Sequence, residues 1–448
     1  MTCATIADHD EQGGATVFQP AIETMPRDEL TNLQAARWRA LLARLPASPF
    51  YRDRVRPTEL LLQHPLEAVA DLPFTVKADL RAAYPWGMLA VEREQVARLQ
   101  ASSGTGGKPT LVAYTREDLT IWAEVCARAL SAAGARPGDL VHNAYGYGLF
   151  TGGLGLHQGA EALGATVLPA SGGATRRQVT LMQDLRPDGL CCTPSFAWVL
   201  AETMEEMGAD PRESSLRYGV FGAEPWTEAM RARLEDTWRM VAVDIYGLSE
   251  IVGPGVAIEC REAQHGLHIA EDHFYPEVVS PVTGQPLAAG EMGELVLTTL
   301  SKVAMPLVRY RTGDLVRLDD EPCVCGRTHR RMSRVLGRVD DMLIVRGVNV
   351  FPSEVERVLL EFSDLSAQYQ LAWEDGAMDR LRVEVESRAD LPTEAARGLA
   401  GAVQRRLRSE LGLTLEVSIL APRALARPEG KAVRVVDRRS QGGTRQGG

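Results

Sequence analysis

The middle of the chain alternates short apolar runs with longer stretches in which apolar residues recur every three or four positions. A short apolar run between turn residues is typical of a buried strand, and a period near 3.6 is typical of a helix. Such runs predict strands at residues 140–144, 165–169, 189–193, 216–221 and 240–246. Helices are predicted from about residue 156, after a glycine-rich turn at 146–155, and at 194–205. This alternation predicts α/β layers with mainly parallel strands and with ligand loops at their carboxyl ends.

The pattern differs on both sides of this alternating region. Residues 24–45 have helical spacing, and residues from about 278 to 318 are rich in strand-like runs. After residue 337 a shorter α+β unit is predicted, with strands at 342–345, 381–385 and 415–420 and helices at 352–362 and about 392–411. Both ends of the chain are polar, which is typical of mobile termini. We therefore expect a flexible N-terminus at 1–16, a large domain at 17–338, a small domain at 339–439 and a flexible tail at 440–448.

Composition and charge exclude several classes of partner. The chain has 448 residues, more than the roughly 250–300 at which a single core stops growing, so several domains are expected. Its net charge of −10 argues against nucleic acid or an anionic membrane surface as a partner. No run approaches the roughly 20 apolar residues of a membrane span, and the N-terminus lacks the basic and apolar regions of a secretory signal. The expected location is the cytoplasm.

One glycine-rich segment carries the sharpest local signal, the run ASSGTGGKPT at 101–110. Small residues let the backbone approach a polyphosphate, whose oxygens can then accept from N–H groups, hydroxyls and a lysine ammonium. Proline follows Lys108 and no helix follows directly, so this is not the usual P-loop. Either a phosphate loop or a plain flexible turn fits the segment taken alone. The candidate phosphate-binding residues are Ser102, Ser103, Gly104, Thr105, Gly106, Gly107 and Lys108.

The cysteines divide into two groups. Cys323 and Cys325, together with Cys260 and nearby histidines, supply enough soft ligands for a tetrahedral zinc ion. Because Cys-x-Cys is tighter than the usual Cys-x-x-Cys, reduced free thiols remain the alternative. We expect a structural zinc site with His268 as the fourth ligand and His265 as the alternative. The remaining cysteines are expected to be buried or free thiols, namely Cys3, Cys126, Cys191 and Cys192.

Six motifs occur in the order found in the adenylate-forming ligases, which the chain therefore resembles. They are SSGTGGKPT (102–110), GAEPW (222–226), YGLSE (246–250), YRTGDL (310–315), GRVDDMLIVRGVNVFPSEVE (337–356) and EGKAVRVVDRR (429–439). Four further segments resemble the phenylacetate–coenzyme A ligase branch, namely AIETMPRDEL (21–30), SPFY (48–51), NAYGYGLFTGGLG (143–155) and EDHFYPEVVSP (271–281). The resemblance covers nearly all of residues 18–440.

The resemblance implies a large adenylate-forming domain with mixed, mainly parallel sheets and a β-rich part, followed by a small mobile α+β domain. It also implies an enzyme that uses ATP and Mg²⁺ to adenylate an aromatic carboxylic acid, releases pyrophosphate, and passes the acyl group to coenzyme A. A homodimer is implied as well.

The resemblance assigns roles to residues at matching positions. The loop at 102–108 binds ATP phosphates, with Gly106 in place of a commoner threonine, which costs one hydroxyl but keeps the backbone donors. Tyr246 packs against adenine, and Asp314 binds both ribose hydroxyls with assistance from Arg338. For Asp314 a turn-stabilising role is the alternative. Residues expected to line the base are Ala223, Glu224, Asp244 and Gly247. The α-phosphate is expected to meet Ser249, and Mg²⁺ is expected to bind Glu250, because a hard cation suits carboxylate and phosphate oxygens.

The C-terminal motifs carry the expected moving parts. Lys431 resembles the catalytic lysine, whose ammonium stabilises the negative charge that develops when a carboxylate attacks the α-phosphorus. Asp340 resembles the hinge about which the small domain rotates between an adenylating and a thioester-forming pose. The alternatives are a surface lysine and a plain inter-domain turn. The thiol channel is expected to be lined by Arg346, Gly347, Val348 and Asn349.

The acyl pocket is expected to be a flat, partly aromatic slot walled by Tyr145, Phe150, Gly152, Gly153 and Gly222. Core packing is the alternative role for the two aromatic residues. No second carboxylate anchor stands out, so one ring bearing one acid is expected. Phenylacetate is the first candidate, followed by hydroxy- or aminobenzoates, including anthranilate-like acids.

Two rival functions stay open. In one, the acceptor is a carrier-protein thiol or an amine instead of coenzyme A. In the other, the protein is a non-catalytic nucleotide-binding or regulatory module. The presence of Lys431, Glu250 and Asp314 argues against the second.

Overall fold

The computed structural model describes residues 16–56, 58–102, 109–339, 343–345, 348–374, 380–427 and 432–438. The helices in these ranges are α1 (Pro20–Glu23), α2 (Arg27–Arg44), α3 (Glu59–Gln63), α4 (Pro65–Ala68), α5 (Lys77–Ala82), α6 (Arg116–Ala133), α7 (Thr151–Leu163), α8 (Thr175–Leu185), α9 (Pro194–Glu206), α10 (Glu228–Trp238), α11 (Pro352–Leu359) and α12 (Thr393–Leu411). Short 3₁₀ turns lie at Leu45–Ala47, Val69–Asp71, Arg93–Gln95 and Pro211–Glu213.

The strands are grouped here by unit. The large unit contains β1 (Arg98–Ala101), β2 (Leu111–Tyr114), β3 (Leu140–Asn143), β4 (Thr166–Pro169), β5 (Gly189–Cys192), β6 (Tyr218–Gly222), β7 (Val241–Leu248), β8 (Gly253–Glu259), β9 (Leu267–Ile269), β10 (Phe274–Val279), β11 (Gly293–Thr299), β12 (Tyr310–Val316), β13 (Leu318–Asp319), β14 (Arg331–Met332) and β15 (Gly337–Arg338). The C-terminal unit contains β16 (Leu343–Val345), β17 (Val348–Val350), β18 (Leu365–Glu374), β19 (Arg380–Ser387), β20 (Glu416–Leu420) and β21 (Val435–Asp437).

A nine-stranded mixed sheet forms the centre of the large unit, in the order β13-β14-β9-β8-β7-β6-β5-β3-β4. The pairings from β4 to β7 are parallel, and those from β7 to β13 are antiparallel. The parallel half arises because helices connect its successive strands, as the alternating pattern predicts. The predicted α/β fold is therefore confirmed. The carboxyl ends of β6 and β7 lie side by side, where a ligand site is expected in such a sheet.

The prediction of a turn through residue 155 is wrong, because α7 begins at Thr151. Glycine lowers helix propensity, so several glycines in this stretch suggest a turn in the sequence. Here the glycines allow close helix packing. A Cβ added at Gly155 would lie 2.6 Å from the Trp122 ring, and one at Gly159 would lie 2.3 Å from Cys126, both on α6. Backbone contact between α6 and α7 thus explains these glycines.

The β-rich region also begins earlier than predicted, at β8 near residue 253 instead of residue 278. The first residues of β8 read Gly-Pro-Gly, a pattern typical of turns. Gly253 and Gly255 have φ values of 112° and 96°, which side chains rarely adopt, and Gly255 lies against α6. A second, antiparallel sheet follows, in the order β10-β11-β12-β15.

Buried ion pairs fix the segment that connects β9 and β10. Arg128 on α6 donates to Asp272 Oδ1 at 2.9 Å, and Arg330 Nε donates to Glu271 Oε1 at 2.7 Å. Burial alone would raise the pKa of Glu271, but the hydrogen bond from Arg27 and the charge of Arg330 lower it to about 2. Because Arg27 begins α2, these pairs also hold the N-terminal helix against the large sheet.

The C-terminal unit has its own core. Its main sheet has the order β20-β19-β18-β21, and α11 and α12 pack against it. Leu360 and Ala367 instead pack with residues of α9 and α10 in the large unit. Arg233 of α10 also donates to Leu360 O, at 2.8 Å. Among the described residues we find no helix with both the length and the apolar character needed to span a bilayer.

Candidate active site

A cavity of about 190 Å³ opens at the carboxyl ends of β6 and β7. Its walls come from the turn after β6, the end of β7, β12 and the β14–β15 connection. Residues predicted from the motifs that line it are Ala223, Glu224, Asp244, Tyr246, Gly247, Glu250, Asp314 and Arg338. Further lining residues are Pro225, Trp226, Ile245, Leu248, Leu267, Met332, Arg334 and Val335. The structure thus brings together side chains from four separate motifs.

The turn after β6 is tightly constrained. A Cβ added at Gly222 would lie 2.1 Å from the Ile245 carbonyl oxygen, so only glycine allows β6 and β7 to approach this closely. The next residue, Ala223, has a φ of 67°, in the left-handed region that is sparsely populated for residues with a side chain. This reversal directs the following residues, Glu224 to Trp226, to the cavity.

Asp314, Tyr246 and Arg338 form one buried group. The Tyr246 hydroxyl donates to Asp314 Oδ2 at 2.6 Å, and the Arg338 guanidinium pairs with Asp314 Oδ1. The register of β12 and β15 places Asp314 directly opposite Arg338. Burial and the nearby Asp314 carboxylate raise the pKa of Tyr246 well above its ordinary value, so the phenol stays neutral.

Glu224 links the cavity to the C-terminal unit. Ser195 N, in the first turn of α9, donates to Glu224 Oε1 at 2.8 Å. Ala432 N donates to Glu224 Oε2, also at 2.8 Å. Lys431 itself lies outside the described residues, but its neighbour Ala432 is thereby placed at the rim of the cavity.

Glu250 presents a carboxylate to the cavity from the end of β7. Its side chain is buried, Oε1 accepts no well-directed hydrogen bond from the described residues, and Lys77 Nζ lies 3.1 Å from that atom. The backbone carbonyl of Glu250 accepts a hydrogen bond from Lys302 Nζ at 2.8 Å. Burial lowers the pKa of Lys302 to about 8. The adjacent Ser249 Oγ lies 3.1 Å from Thr151 Oγ1 at the start of α7.

Sequence reasoning assigned no role to two lining residues, Trp226 and Arg334. The Arg334 guanidinium lies over the Trp226 ring, 4.4 Å from its centroid, and its Nε is 3.8 Å from Asp244 Oδ2. Burial and nearby Glu259 raise the pKa of Asp244 above its ordinary value. Trp226 belongs to the GAEPW motif and could have been singled out, whereas Arg334 lies in none of the six motifs.

The residues predicted for the acyl pocket lie together, beside the cavity and not in its lining. Tyr145 is buried, and its hydroxyl has no hydrogen-bond partner among the described residues. A Cβ added at Gly152 would lie 2.6 Å from the Phe150 ring and 3.2 Å from that of Tyr145. One added at Gly153 would lie 2.6 Å from the Gly146 carbonyl oxygen. Glycine is therefore required at both positions for the aromatic rings and the helix to pack.

Cys260, His268, Cys323 and Cys325 form a compact buried group whose ligand atoms all lie within 4.8 Å of one another. The Cys260 and Cys323 sulfurs are 3.6 Å apart, and Cys325 Sγ is 3.4 Å from His268 Nε2. A disulfide requires about 2.05 Å, whereas tetrahedral zinc ligands lie roughly 3.3–3.8 Å apart. His268 Nδ1 lies 3.2 Å from the His329 carbonyl oxygen, which leaves Nε2 for a metal. His265 is exposed and lies outside this group.

Several predicted residues lie outside the described part of the chain. They are Ser103, Gly104, Thr105, Gly106, Gly107, Lys108, Asp340, Arg346, Gly347 and Lys431, together with the side chain of Asn349. Their roles stay predictions. The ends of the phosphate loop are described, since Ser102 N donates to Thr110 O at 3.1 Å. Val348 lies in β17 opposite Val345. Three of the cysteines assigned no ligand role, Cys126, Cys191 and Cys192, are buried free thiols, as predicted.

Comparisons with known proteins identify the family of the chain. Residues 35–303 match the AMP-binding enzyme family, and residues 347–439 match the AMP-binding enzyme C-terminal domain. A phenylacetate-coenzyme A ligase of Thermus thermophilus is 52% identical over 443 residues, which cover 94% of this chain and all of that protein.

Solved structures agree as well. A structure of 2-hydroxyisobutyryl-CoA ligase in the postadenylation state, in complex with R3-HIB-AMP, superposes with a TM-score of 0.91 at 27% identity, covering 98% of this chain and 95% of that one. A structure of the same enzyme in complex with 2-HIB-AMP and CoA, in the thioesterification state, superposes with a lower TM-score of 0.70 at 29% identity. This match covers 94% of this chain and 92% of that one. The two units here are therefore arranged more nearly as in the postadenylation state. The chain belongs to the AMP-binding enzyme family of adenylate-forming ligases, in the branch that contains the phenylacetate–coenzyme A ligases.

Proposed function

We propose that the protein is an AMP-forming acid–thiol ligase that activates an aromatic carboxylic acid with ATP and transfers the acyl group to coenzyme A. In the first step a carboxylate oxygen bonds to the α-phosphorus of ATP, and pyrophosphate leaves. In the second step the thiolate of coenzyme A bonds to the acyl carbon, the carbon–oxygen bond to phosphate breaks, and AMP leaves. The observation that carries the proposal is the buried group of Asp314, Tyr246 and Arg338 in a cavity that Glu250 also lines.

The nucleotide fits this cavity by shape and charge. Adenine packs against the Tyr246 ring, and the ribose hydroxyls donate to the two oxygens of Asp314, an arrangement that only a carboxylate provides. The Arg338 guanidinium pairs with that carboxylate and orients it. Trp226 and Arg334 line the same cavity as a stacked pair and add a flat surface to it. The phosphates extend from there to the loop at 102–108.

Glu250 fits the expected Mg²⁺. Its Oε1 is buried, lacks a well-directed hydrogen bond from the described residues and lies 3.1 Å from Lys77 Nζ, and this carboxylate would hold the hard cation. When bound, Mg²⁺ neutralises phosphate charge during the transfer. Glu250 thus orients the triphosphate, and Ser249 donates to the α-phosphate. Lys302 holds the Glu250 backbone from behind, which fixes the direction of its side chain.

Lys431 is proposed as the catalytic lysine of the adenylation step. The hydrogen bond between Ala432 N and Glu224 supports this role, because it holds the neighbouring residue at the cavity rim. The proposal includes the domain boundaries at 17–338 and 339–439, with Asp340 as the hinge and 346–349 as the thiol channel. It also includes a cytoplasmic location and a homodimer, as the resemblance implies.

Phenylacetate is the proposed acid. The 52% identity to a phenylacetate-coenzyme A ligase over nearly the whole chain supports this choice. The two aromatic rings that lie against Gly152, those of Tyr145 and Phe150, also support it, because such rings can pack against an aromatic substrate.

A panel of acids tests the proposed function. We expect ATP–pyrophosphate exchange to depend on an aryl acid, with phenylacetate giving the highest kcat/KM, and mass spectrometry to detect the acyl-CoA and AMP once coenzyme A is added. Acetate and hexanoate serve as non-aromatic controls. Exchange without any acyl-CoA product would indicate that the acceptor is a carrier-protein thiol or an amine instead of coenzyme A. Absence of exchange with every aryl acid would rule out the proposal.

We also propose a structural zinc ion bound by Cys260, His268, Cys323 and Cys325. The ligand spacing and the free Nε2 of His268 support it. The ion ties the end of β8 to the connection between β13 and β14. Because the group provides four protein ligands, no coordination position remains open for substrate, and the role is to brace the fold.

Metal content tests the zinc site. The purified protein should contain about one equivalent of zinc per chain, and Cys325→Ser should lower the zinc content well below that value and reduce the Tm by several degrees. Cys126→Ser is the matched control, because that buried thiol lies on α6 outside the group, and it should retain the metal. A zinc content far below one equivalent in wild-type protein prepared without chelators would contradict the zinc site and indicate that the cysteines are reduced free thiols.

A further inference from the structure

We propose that Glu224 is a positioning residue that holds Ala432, the residue joined to Lys431, at the rim of the cavity in the adenylating pose and releases it when the C-terminal unit rotates. The inference rests on the proposed function, because it concerns how that reaction passes from its first step to its second. The motif comparison places Glu224 only beside the base, whereas its two hydrogen bonds join the two units of the chain.

The large unit holds one oxygen of Glu224. Ser195 is the second residue of α9, and its N–H belongs to the first turn, where amide groups lack a partner within the helix. This N–H donates to Glu224 Oε1 at 2.8 Å, while the next one, of Phe196, is capped by the Thr193 side chain. A carboxylate at a helix N-terminus is also stabilised by the helix dipole. The large unit therefore holds Glu224 through this oxygen, independently of the C-terminal unit.

The other oxygen reaches across to the C-terminal unit. Ala432 N donates to Glu224 Oε2 at 2.8 Å, and this backbone amide is joined directly to Lys431. Val433, the following residue, is 71% exposed, so burial of its side chain does not hold the segment in place. A hydrogen bond from a backbone amide to a charged acceptor thus fixes the segment at this point.

The contact depends on the pose. The arrangement of the two units resembles a postadenylation state more closely than a thioesterification state, with TM-scores of 0.91 and 0.70 for the same related enzyme. A rotation of the C-terminal unit carries Ala432 away from Glu224, because the carboxylate is fixed to α9. Glu224 consequently favours the pose in which Lys431 acts, and the bond must break before the thiol attacks.

Separate half-reaction assays of Glu224→Gln test the proposal. The amide keeps the size of the side chain, but its NH₂ group opposes one of the two N–H donors. Loss of one charge-assisted hydrogen bond lowers the population of the bonded pose, and with it the rate of adenylation, by about 10- to 100-fold. We expect kcat of phenylacetate-dependent ATP–pyrophosphate exchange to fall by that factor, the KM for ATP to change less than about threefold, and thioester formation from supplied phenylacetyl-adenylate to stay within about threefold. Glu224→Asp, a shorter carboxylate that cannot reach both donors, should give the same pattern at smaller amplitude.

Glu202→Gln is the matched control. Glu202, on α9, also bonds across the units, since it accepts from Arg427 Nε at 3.0 Å, but its partner is four residues before Lys431 and not the residue joined to it. Both half-reactions of this variant should stay within about threefold of wild type. Thermal unfolding of each variant verifies folding.

Distinct results would overturn the inference. A raised KM for ATP with unchanged kcat in Glu224→Gln would indicate that Glu224 contributes only to binding of the base. Equal losses in both half-reactions, or an equal effect of Glu202→Gln, would indicate general weakening of the domain contact. Full exchange activity of Glu224→Gln beside an active wild type would refute the inference alone, whereas an inactive wild type would refute the proposed function with it.

Discussion

Replacement of Lys431 by alanine is expected to lower acyl-adenylate formation by at least about 100-fold, the usual effect of removing a group that stabilises transition-state charge. Thioester formation from supplied phenylacetyl-adenylate should stay within about threefold of wild type, because the proposed mechanism uses the lysine only in the first step. The two half-reactions are measured separately, the first by ATP–pyrophosphate exchange and the second by release of AMP from the supplied adenylate in the presence of coenzyme A.

Arg438→Ala is the control for this experiment. Arg438 follows the same C-terminal segment, but its guanidinium pairs with Glu384 within the sheet of the C-terminal unit, at 2.8 Å. This variant should retain both half-reactions. If Lys431→Ala lost both half-reactions equally while remaining folded, the assignment of the lysine to the first step alone would be wrong.

Asp314→Asn is expected to have the second large effect, a loss of about 100-fold or more in kcat/KM for ATP. The substitution removes the charge that pairs with Arg338 and one of two acceptor oxygens, and hydrogen bonds to a charged group contribute about 1.5–3 kcal/mol each. Steady-state kinetics with varied ATP measure the loss. A second readout is the equilibrium Kd for AMP, which should rise in parallel because the ribose is present in both nucleotides.

Tyr246→Phe separates the contribution of the Tyr246 ring from that of its hydroxyl. It keeps the ring that packs on adenine and removes only the 2.6 Å hydrogen bond to Asp314, so the loss should be about 10-fold. A near-normal KM for ATP in Asp314→Asn would contradict ribose binding by this carboxylate and would return it to a turn-stabilising role.

The ordered motifs predict much of the cavity, because the two sheets of the large unit bring residues far apart in the sequence together there. Tyr246 and Asp314 were each assigned to the nucleotide, and they lie in the same wall. Their mutual hydrogen bond could not be predicted, since it depends on how the second sheet packs against the end of β7. The same reason applies to Arg334, which lies in no motif and reaches the cavity from the short β14–β15 connection.

The wrong predictions have local physical causes. Glycines that allow α6 and α7 to touch were interpreted as a turn, because composition alone does not distinguish conformational freedom from close packing. The strand β8 was missed because its Gly-Pro-Gly start is typical of loops. For the metal group, sequence spacing left two histidines open. The structure separates them, since a strand places His268 beside Cys325 and leaves His265 exposed. The bridging contacts of Glu224 depend on the arrangement of two units, which no local pattern encodes.

The most direct measurement of the acyl-adenylate mechanism follows oxygen from the acid into the nucleotide. Phenylacetate labelled with ¹⁸O in both carboxylate oxygens is incubated with ATP and coenzyme A, and the products are weighed by mass spectrometry. An acyl-adenylate requires one labelled oxygen in each AMP, one in the carbonyl of the acyl-CoA and none in pyrophosphate. Unlabelled AMP, or ADP with label in inorganic phosphate, would contradict attack of the acid on the α-phosphorus.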